Sequence, residues 1–282
     1  MDLMSRADLA RREKEIKYME EISLNAWPSY KIELYDGWLI RFSHNYTYRT
    51  NSVEQVGPST IDVEEKIDYC ESVYDHLGTP ASFKIHPLLD PSFDHRLAVR
   101  GYDVRHITEV MTADLIEVNL MPEDGRDYIF ENRLNLPTLV RYSGDLTVQL
   151  NAYVTEEWLQ GLFHLNGTSD PQLRKIVPSM YAAIPKQTIA ASIEIDGRMV
   201  ASGLGILDRE WVGLYAVYVS PSCWRRHYAR AICSTILREA RLNGAKRAYL
   251  QVVKGNASAK KLYTSLGFKD FYTYWFRSRK LE

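Results

Sequence analysis

Two glycines that end predicted helices recur along this chain at a constant offset, and this repeat constrains the fold more than any other feature. Gly78 and Gly244 lie 166 positions apart, and so do Gly101 and Gly267. Each follows an amphipathic stretch, at a place where the chain has to adopt the left-handed conformation that suits glycine. An aromatic residue comes directly after both Gly101 and Gly267. The repeat predicts an internal duplication.

The same order of elements precedes and follows these glycines in both halves. Each half is predicted to contain a helix, a strand, a short helix and a strand. We therefore expect an α+β protein with mixed sheets, built from two tandem domains at residues 1–117 and 146–282 and a connecting segment at 118–145. In the first half we predict a helix at 63–77, a strand at 81–85, a helix at 95–99 and a strand at 105–115. In the second half the same four elements are predicted at 228–242, 247–253, 256–266 and 271–277.

Further elements are predicted at the start of each half. A polar helix at 6–25 precedes a hairpin that turns at Asp36-Gly37, and a second hairpin turns at Asp196-Gly197. Both dipeptides favour tight hairpins, because both central residues of the turn have positive φ. In the second half we expect strands at 147–154, 189–195, 199–207 and 211–219 and helices at 156–165 and 171–183.

The composition excludes several classes of protein. The chain has 282 residues, 45% of them hydrophobic, 25% charged, and a formal net charge of −1. Such values are typical of globular proteins, and they give no basic surface of the kind that nucleic-acid binding needs. No apolar stretch is long enough to cross a bilayer, so we expect a cytoplasmic protein with no membrane partner. The three cysteines, Cys70, Cys223 and Cys233, fit neither a metal site nor a disulfide framework.

A basic loop opens the predicted helix at 228–242. The loop follows the strand at 211–219 and contains Arg225, Arg226 and His227, with Arg230 in the first turn of the helix. Free amides at a helix start, the positive end of the helix dipole and three arginines together suit a pyrophosphate. The loop alone is equally compatible with an ordinary capped helix and solvated arginines.

A second motif, from Asn256 to Phe268, favours the anion site. Asn256 is placed to cap the helix, Ala259 permits close approach of a ligand, and Gly267-Phe268 forms a C-terminal stop. Tyr263 lies two turns beyond Asn256 and on the same face. A tyrosine packed in the core is the alternative to a functional one.

The loop and this motif, which reads N-x-x-A-x-x-L-Y-x-x-x-G-F, resemble those of the GNAT acetyltransferases over residues 146–279. The resemblance implies direct acyl transfer from acetyl-CoA (coenzyme A) to an amine, with no metal and no covalent enzyme intermediate. It assigns the proton donor for the departing thiolate to Tyr263. It assigns coenzyme binding to the backbone of Val217, Tyr218 and Val219, to the loop residues Arg225, Arg226, His227, Tyr228, Ala229 and Arg230, and to Asn256.

Two positions depart from the family pattern. Trp224 stands where the family has arginine or glutamine, and His227 stands where it has glycine. Histidine tolerates positive φ better than most residues, so His227 can keep the loop conformation. The alternative is a non-catalytic sensor or interaction protein that no longer binds acetyl-CoA. A third interpretation takes the loop as a site for another phosphate-bearing ligand.

The sequence leaves open the identity of the amine acceptor and of the general base that would deprotonate it. Glu194 and Glu210 are candidate bases, and the acceptor is expected to be the amine of a small molecule or peptide. A monomer and a homodimer are both compatible with the sequence. The first half has Leu97 and Asp90 where the second has Tyr263 and Asn256, so we expect a scaffold that covers the cleft or shapes the acceptor pocket. The hypothesised acceptor wall comprises residues 36–41 and 48–53, including Asn51.

Overall fold

The structure, a computed structural model, describes residues 5–118, 129–131, 138–143 and 146–279. The chain divides into two compact units, the first made of Met1–Glu109 with Tyr272–Glu282 and the second of Val110–Phe271. Both divisions fall inside β-strands, Asp103–Asp114 and Lys269–Ser278. The predicted domain limits at 117/118 and 145/146 stay a prediction.

The first unit combines a sheet with three helices. The elements are α1 (Arg6–Ala26), β1 (Lys31–Tyr35), β2 (Trp38–Phe42), a 3₁₀ turn (Tyr48–Thr50), β3 (Val53–Gln55), α2 (Val63–His76), β4 (Ser82–Ile85), α3 (Pro91–Val99), β5 (Asp103–Asp114) and the C-terminal strand β13 (Lys269–Ser278). In the sheet, β1 pairs with β2 and β2 with β3 in antiparallel fashion, β3 is parallel to β4, and β4 is antiparallel to the end of β13. Trp38 lies in the buried core of this unit, edge-on to Phe83 and Phe93 at 6.1 and 5.5 Å between ring centroids.

The second unit carries a larger sheet with helices packed against it. Its elements are β6 (Ile129–Glu131), β7 (Thr138–Ser143), β8 (Leu146–Asn151), α4 (Glu156–Asn166), α5 (Pro171–Ala182), β9 (Gln187–Ile195), β10 (Arg198–Asp208), β11 (Trp211–Val219), α6 (Tyr228–Leu242), β12 (Arg247–Val253) and α7 (Ala257–Ser265). Strands β6 to β11 pair in chain order and antiparallel, whereas β11 and β12 are parallel.

Helix α6 is held against this sheet by close packing on glycine. Its buried face includes Ile232 and Ile236. A Cβ atom at Gly203 of β10 would lie 3.0 Å from the Ile236 side chain, and one at Gly205 would lie 2.5 Å from it. The two glycines therefore let α6 approach β10 directly, which fixes where the helix begins relative to the end of β11.

The predicted duplication is confirmed in the element order. Adding 166 to the bounds of α3 gives 257–265, which are the bounds of α7. All four helix-ending glycines are left-handed, with φ of 67° and 93° at Gly78 and Gly244 and of 84° and 95° at Gly101 and Gly267. The aromatic amides that follow bond alike, Tyr102 N to Leu97 O and Phe268 N to Tyr263 O, both at 3.0 Å. The two halves thus share one local construction.

Both predicted hairpin turns are confirmed. Asp36 and Gly37 have φ of 40° and 78°, and Asp196 and Gly197 have φ of 50° and 71°. Gly37 is required for a further reason, because a Cβ there would lie 2.7 Å from the carbonyl oxygen of Gly57.

The segment predicted to connect the domains contains two strands where it is described. Strand β6 pairs with β7, and β7 pairs with β8, so this part of the chain extends the sheet of the second unit. The rest of the predicted connection, residues 119–128, 132–137 and 144–145, lies outside the described residues.

Two kinds of feature are absent from the described ranges. No helix there is both long and apolar enough to cross a membrane. No three His, Cys, Asp or Glu side chains in those ranges are grouped so that they could hold a metal ion.

Candidate active site

A β-bulge interrupts the central strand β11. Leu204 of β10 faces Tyr215, but Ser202, two residues earlier, faces Tyr218, so β11 contains one extra residue. The extra residue is Ala216, with φ of 48°, and its carbonyl accepts a 2.9 Å hydrogen bond from the Ser202 hydroxyl. The bulge shifts the alternation of β11, and Val217 and Val219 pack against the same core as Val212 and Leu214.

Strands β11 and β12 separate after Leu214, just before the bulge. Their parallel register runs from Trp211 opposite Arg247 to Leu214 opposite Leu250. Both strands continue to Val219 and Val253, within the described chain, without further paired residues. The result is a wedge between two strand ends, which we call the splay.

Backbone groups of β11 face the splay. Val219 lies opposite Ala201, and the next amide, Ser220 N, donates to Val200 O at 2.8 Å. Because bonding alternates along an antiparallel pair, the N–H and C=O of Val219 point away from β10 and into the splay. The Val219 carbonyl accepts a 3.0 Å hydrogen bond from the Trp224 indole. Trp224 therefore lies against the edge where the sequence predicts the pantetheine arm of coenzyme A.

The loop after β11 reaches α6 through two left-handed residues. Arg225 has φ of 61°, and His227 has φ of 60° and ψ of 11°. His227 is the N-cap of α6, and its side chain makes no capping hydrogen bond to the helix. The first amides of α6, from Tyr228 to Arg230, have no intrahelical acceptor, and a left-handed residue followed by a helical one turns successive N–H groups towards one point. Histidine thus holds here the backbone conformation for which the family pattern has glycine.

The three arginines of this region differ in their surroundings. Arg225 and Arg226 are exposed on the loop. Arg230 is half-buried and donates to Ser265 Oγ at 3.0 Å, and that hydroxyl donates to Leu262 O at 2.6 Å. Arg230 therefore ties the start of α6 to the end of α7, while Arg225 and Arg226 remain exposed at the helix start. Tyr228 and Ala229 are half-buried beside them.

Helix α7 places Tyr263 in the core beside the splay. Its side chain is 9% exposed and packs edge-on to Phe268 at 6.1 Å. Its hydroxyl makes no hydrogen bond to any residue that the structure describes. Burial, with a smaller contribution from Cys233, raises the pKa of Tyr263, so the hydroxyl is protonated at neutral pH and can donate. Asn256 caps the helix through a 3.1 Å bond from Ala259 N, as predicted.

Comparison with known proteins decides which fold family this geometry belongs to. The Acetyltransferase (GNAT) family matches residues 153–268. We call these residues the GNAT domain, after the family that they match. Over 270 residues the chain is 22% identical to the uncharacterized N-acetyltransferase YobR of Bacillus subtilis (strain 168), covering 94% of this chain and 99% of that protein.

Solved structures extend the likeness in fold to the whole chain. A GCN5-related N-acetyltransferase from Kribbella flavida superposes with a TM-score of 0.64 at 13% identity, over 95% of each chain. A tandem GNAT protein from the clavulanic acid biosynthesis pathway superposes with a TM-score of 0.60 at 10% identity, over 82% of this chain and 75% of its own. The chain therefore has a tandem GNAT fold.

The two candidate bases lie in different places in the GNAT domain. Glu210 precedes β11, at the end away from the splay, and pairs with Lys246 at 3.2 Å. It is therefore remote from the Val217–Val219 edge. Glu194 is exposed on β9 opposite Met199. Neither carboxylate belongs to the strands that border the splay.

Sequence reasoning missed a pair of tyrosines in the GNAT domain. The hydroxyls of Tyr215 and Tyr249 lie 2.8 Å apart, where β11 and β12 begin to separate. A Cβ at Gly213 would lie 2.6 Å from each of the two tyrosine rings, so this glycine makes the pair possible. Only the pairing of β11 with β12 brings these side chains together, and the sequence carried no local signal for it.

In the first unit, the turn that corresponds to the loop before α6 binds a carboxylate of its own chain. The offset of 166 aligns Thr60 and Ile61 with Arg226 and His227. The Thr60 and Ile61 amides both donate to a carboxylate oxygen of Asp36 at 2.9 Å, and Lys66 lies 3.2 Å from the same oxygen. Hydrogen bonds from these amides, that of Ile61 foremost, hold the pKa of Asp36 well below its usual range. An internal carboxylate thus takes the place of an anionic ligand.

The side chains hypothesised as an acceptor wall have partners inside the first unit. Trp38 is part of the core, and Arg41 is buried and pairs with Glu54 at 3.0 Å. Asn51 Oδ1 accepts from Ser43 N at 2.7 Å and from Asn45 N at 3.0 Å. These side chains stabilise the loop and core around them, and the acceptor wall stays a hypothesis.

Proposed function

We propose that the protein is an N-acetyltransferase that transfers the acetyl group of acetyl-CoA directly to an amine. The observation that carries the proposal is the junction of three features: a bulged strand, a splay at its end, and a helix start entered through a left-handed residue. Beyond Leu214, the splay leaves one edge of β11 without a neighbouring strand. The helix start offers amides and arginines suited to a pyrophosphate.

The geometry supports the coenzyme contacts that the sequence predicts. The pantetheine arm would lie along Val217, Tyr218 and Val219 and exchange hydrogen bonds with the strand edge that faces the splay. The pyrophosphate would rest on the amides of His227, Tyr228, Ala229 and Arg230, with Arg225 and Arg226 adding positive charge. Asn256 contributes by fixing the start of α7, because its Oδ1 is already engaged in the cap.

In the proposed reaction, the splay holds the thioester and Tyr263 protonates the leaving group. The amine nitrogen attacks the carbonyl carbon of the thioester, a C–N bond forms, and the C–S bond breaks with its electron pair going to sulfur. Tyr263 donates its proton to the departing thiolate, and solvent returns a proton to Tyr263. The proton released by the amine passes to water. Positioned proton donors contribute about 10²- to 10⁴-fold to such rates.

Two other interpretations are tested together with this one. A non-catalytic sensor would require a loop that has lost the coenzyme, but His227 keeps the left-handed conformation expected of the family glycine. A site for another phosphate-bearing ligand would use the same helix start without the splay. Free coenzyme A should displace any such ligand if the proposal is correct.

The test is an acetyl-transfer assay that follows the coenzyme A released from acetyl-CoA. Primary amines, from small molecules to short peptides with free amino termini, serve as acceptors for the parent chain and for Tyr263→Phe. We expect the parent to release coenzyme A only when an amine is present, and we expect a kcat at least about 100-fold lower in Tyr263→Phe. Release at the same rate in both proteins would remove Tyr263 from the mechanism. No release with any acceptor would favour the sensor.

A further inference from the structure

The sheet of the first unit ends in a strand with an open edge. Strand β1 is the last in the sheet order, and within the described chain it pairs with β2 alone. Four of its five residues are exposed, and the fifth, Tyr35, is half-buried. The row of backbone groups along such an edge is a template on which another strand can pair.

The backbone of β1 turns the hydrogen-bonding groups of Ile32 and Leu34 towards this open edge. A two-residue turn joins β1 to β2, so the residues at its ends, Tyr35 and Trp38, form a hydrogen-bonded pair. Bonding alternates along an antiparallel pair, so Glu33 also bonds to β2. The N–H and C=O groups of Ile32 and Leu34 therefore point away from β2.

The side chains of β1 fall into two chemical kinds, one on each face of the strand. Ile32 and Leu34 project from one face and are 55% and 69% exposed. Lys31 and Glu33 project from the other face and are also exposed. Neither of the two charges forms an ion pair with a residue that the structure describes, and Glu33 accepts a hydrogen bond from the Tyr69 hydroxyl. The edge thus carries one cation, one anion and a short apolar stripe.

One pairing of β1 with a second copy of itself matches both faces. A two-fold axis through the Ile32 pair places Lys31 of each copy opposite Glu33 of the other. Opposite charges in directly opposed positions stabilise a pair of strands, and here they occur twice. The two Ile32 residues exchange their N–H and C=O groups, because both have these groups turned outwards. Their side chains meet on the apolar face.

The other symmetric registers lack this match. A register centred on Glu33 places two carboxylates opposite each other, and one centred on Lys31 places two ammonium groups opposite each other. Like charges in directly opposed positions destabilise a pair of strands. A register centred on Leu34 gives no pair of opposite charges. Charged side chains on an edge strand usually block its pairing, but those of β1 favour a single register.

We propose that β1 is a self-association edge, at which two copies of this chain pair in antiparallel fashion about Ile32 and join the sheets of their first units. The same surface serves both copies, so the contact closes as a dimer. The pairing covers few residues, and we therefore expect a weak, transient dimer with a dissociation constant in the micromolar range. The inference is independent of acetyl transfer, because it involves no residue of the GNAT domain.

The first test is sedimentation velocity on the intact chain over a range of concentrations, with Lys31→Glu and Glu33→Lys. Each variant alone has like charges at both pairs, and its dimer should be at least about tenfold weaker than that of the parent. An equimolar mixture of the two variants restores both pairs of opposite charge and should dimerise like the parent. Tyr69→Phe is the matched control, since it removes the hydrogen bond to Glu33 without changing a charge, and it should also dimerise like the parent.

Cysteine substitutions test the register. In the proposed dimer the two Ile32 Cα atoms are about 5.5 Å apart, within the range of about 4.4–6.8 Å that a disulfide spans. The two Leu34 Cα atoms are separated by about four residues of strand, roughly 13 Å. Under mild oxidation Ile32→Cys should form a cross-linked dimer at least about tenfold faster than Leu34→Cys. The native Cys70, Cys223 and Cys233 are buried.

Three results would overturn the proposal. A parent chain that stays monomeric up to its highest soluble concentration has no self-association edge. A parent dimer that both charge variants retain at full strength uses another surface. A mixture of the variants that dimerises no better than either alone, or equal cross-linking by the two cysteine variants, would exclude the register about Ile32.

Discussion

At the scale of single residues, the decisive feature is a histidine in a conformation that usually requires glycine. His227 has φ of 60° at the N-cap of α6, and the amides that follow it are those proposed to bind the pyrophosphate. The sequence alone showed the replacement of glycine and left its consequence open. The left-handed backbone shows that the loop keeps its course, because histidine is among the residues that adopt this conformation at moderate cost.

Substitutions of His227 should therefore follow backbone preference. His227→Gly removes the imidazole but keeps the conformation, and its dissociation constant for acetyl-CoA should stay within a few-fold of that of the parent. His227→Val brings a β-branched side chain to positive φ, where it is strained. We expect at least about tenfold weaker binding by calorimetry, since the strain has to be relieved by moving the loop amides. Equal binding by both variants would contradict the importance of the loop backbone.

At the scale of elements, the site depends on how β11 and β12 meet. The bounds of β11, α6 and β12 were predicted at the residues where the structure has them, because apolar periodicity and helix-stop signals are local. The bulge at Ala216 was not predicted, since nothing in the run from Leu214 to Val219 marks an extra residue. The tyrosine pair was missed for a related reason, because strand register depends on pairing rather than on local sequence.

Gly213→Ala tests the packing at the point where β11 and β12 begin to separate. The added Cβ would lie 2.6 Å from ring atoms of both Tyr215 and Tyr249, and it should push the hydroxyl pair apart. Overpacking of this kind costs about 1–3 kcal/mol, so thermal unfolding should shift downwards. The kcat/KM for acetyl transfer should fall as well, because the strands that border the splay are displaced. Gly161→Ala is the control. Its added Cβ would meet the flexible end of Met199, at 2.6 Å from the sulfur, and it should change stability less and leave activity unchanged.

The turn at Asp36 in the first unit gives a prediction about pH. Amide hydrogen bonds hold the pKa of the Asp36 carboxyl below its usual value, so the stabilisation is complete above the unfolded pKa of about 3.9 and is lost as the pH falls through the folded pKa. Asp36→Asn tolerates the positive φ but removes the charge. It should lower the Tm at pH 7, and the difference from the parent should shrink below about pH 4. A difference that is constant with pH would contradict this; Asp75→Asn, on the exposed face of α2, is the control.

At the scale of the whole molecule, the two halves share their order of elements but differ in their site residues. The repeat of helix-ending glycines predicted the shared construction, and the fold confirms it. The loss of Tyr263 and Asn256 equivalents in the first half could be read from the offset. The contact that fills its turn could not, because Asp36 meets Thr60 and Ile61 across 24 and 25 residues of chain. One half has helix-start amides without an intrahelical acceptor, and in the other half the corresponding amides donate to Asp36.

A calorimetric titration of the intact chain with acetyl-CoA distinguishes one coenzyme site from two or from none. We expect one site per chain with a dissociation constant in the micromolar range, about −8 kcal/mol, and the same affinity in Tyr263→Phe, which removes the proton donor but not the binding groups. Two sites per chain would contradict the filled turn of the first unit. No binding at all would contradict the proposed function.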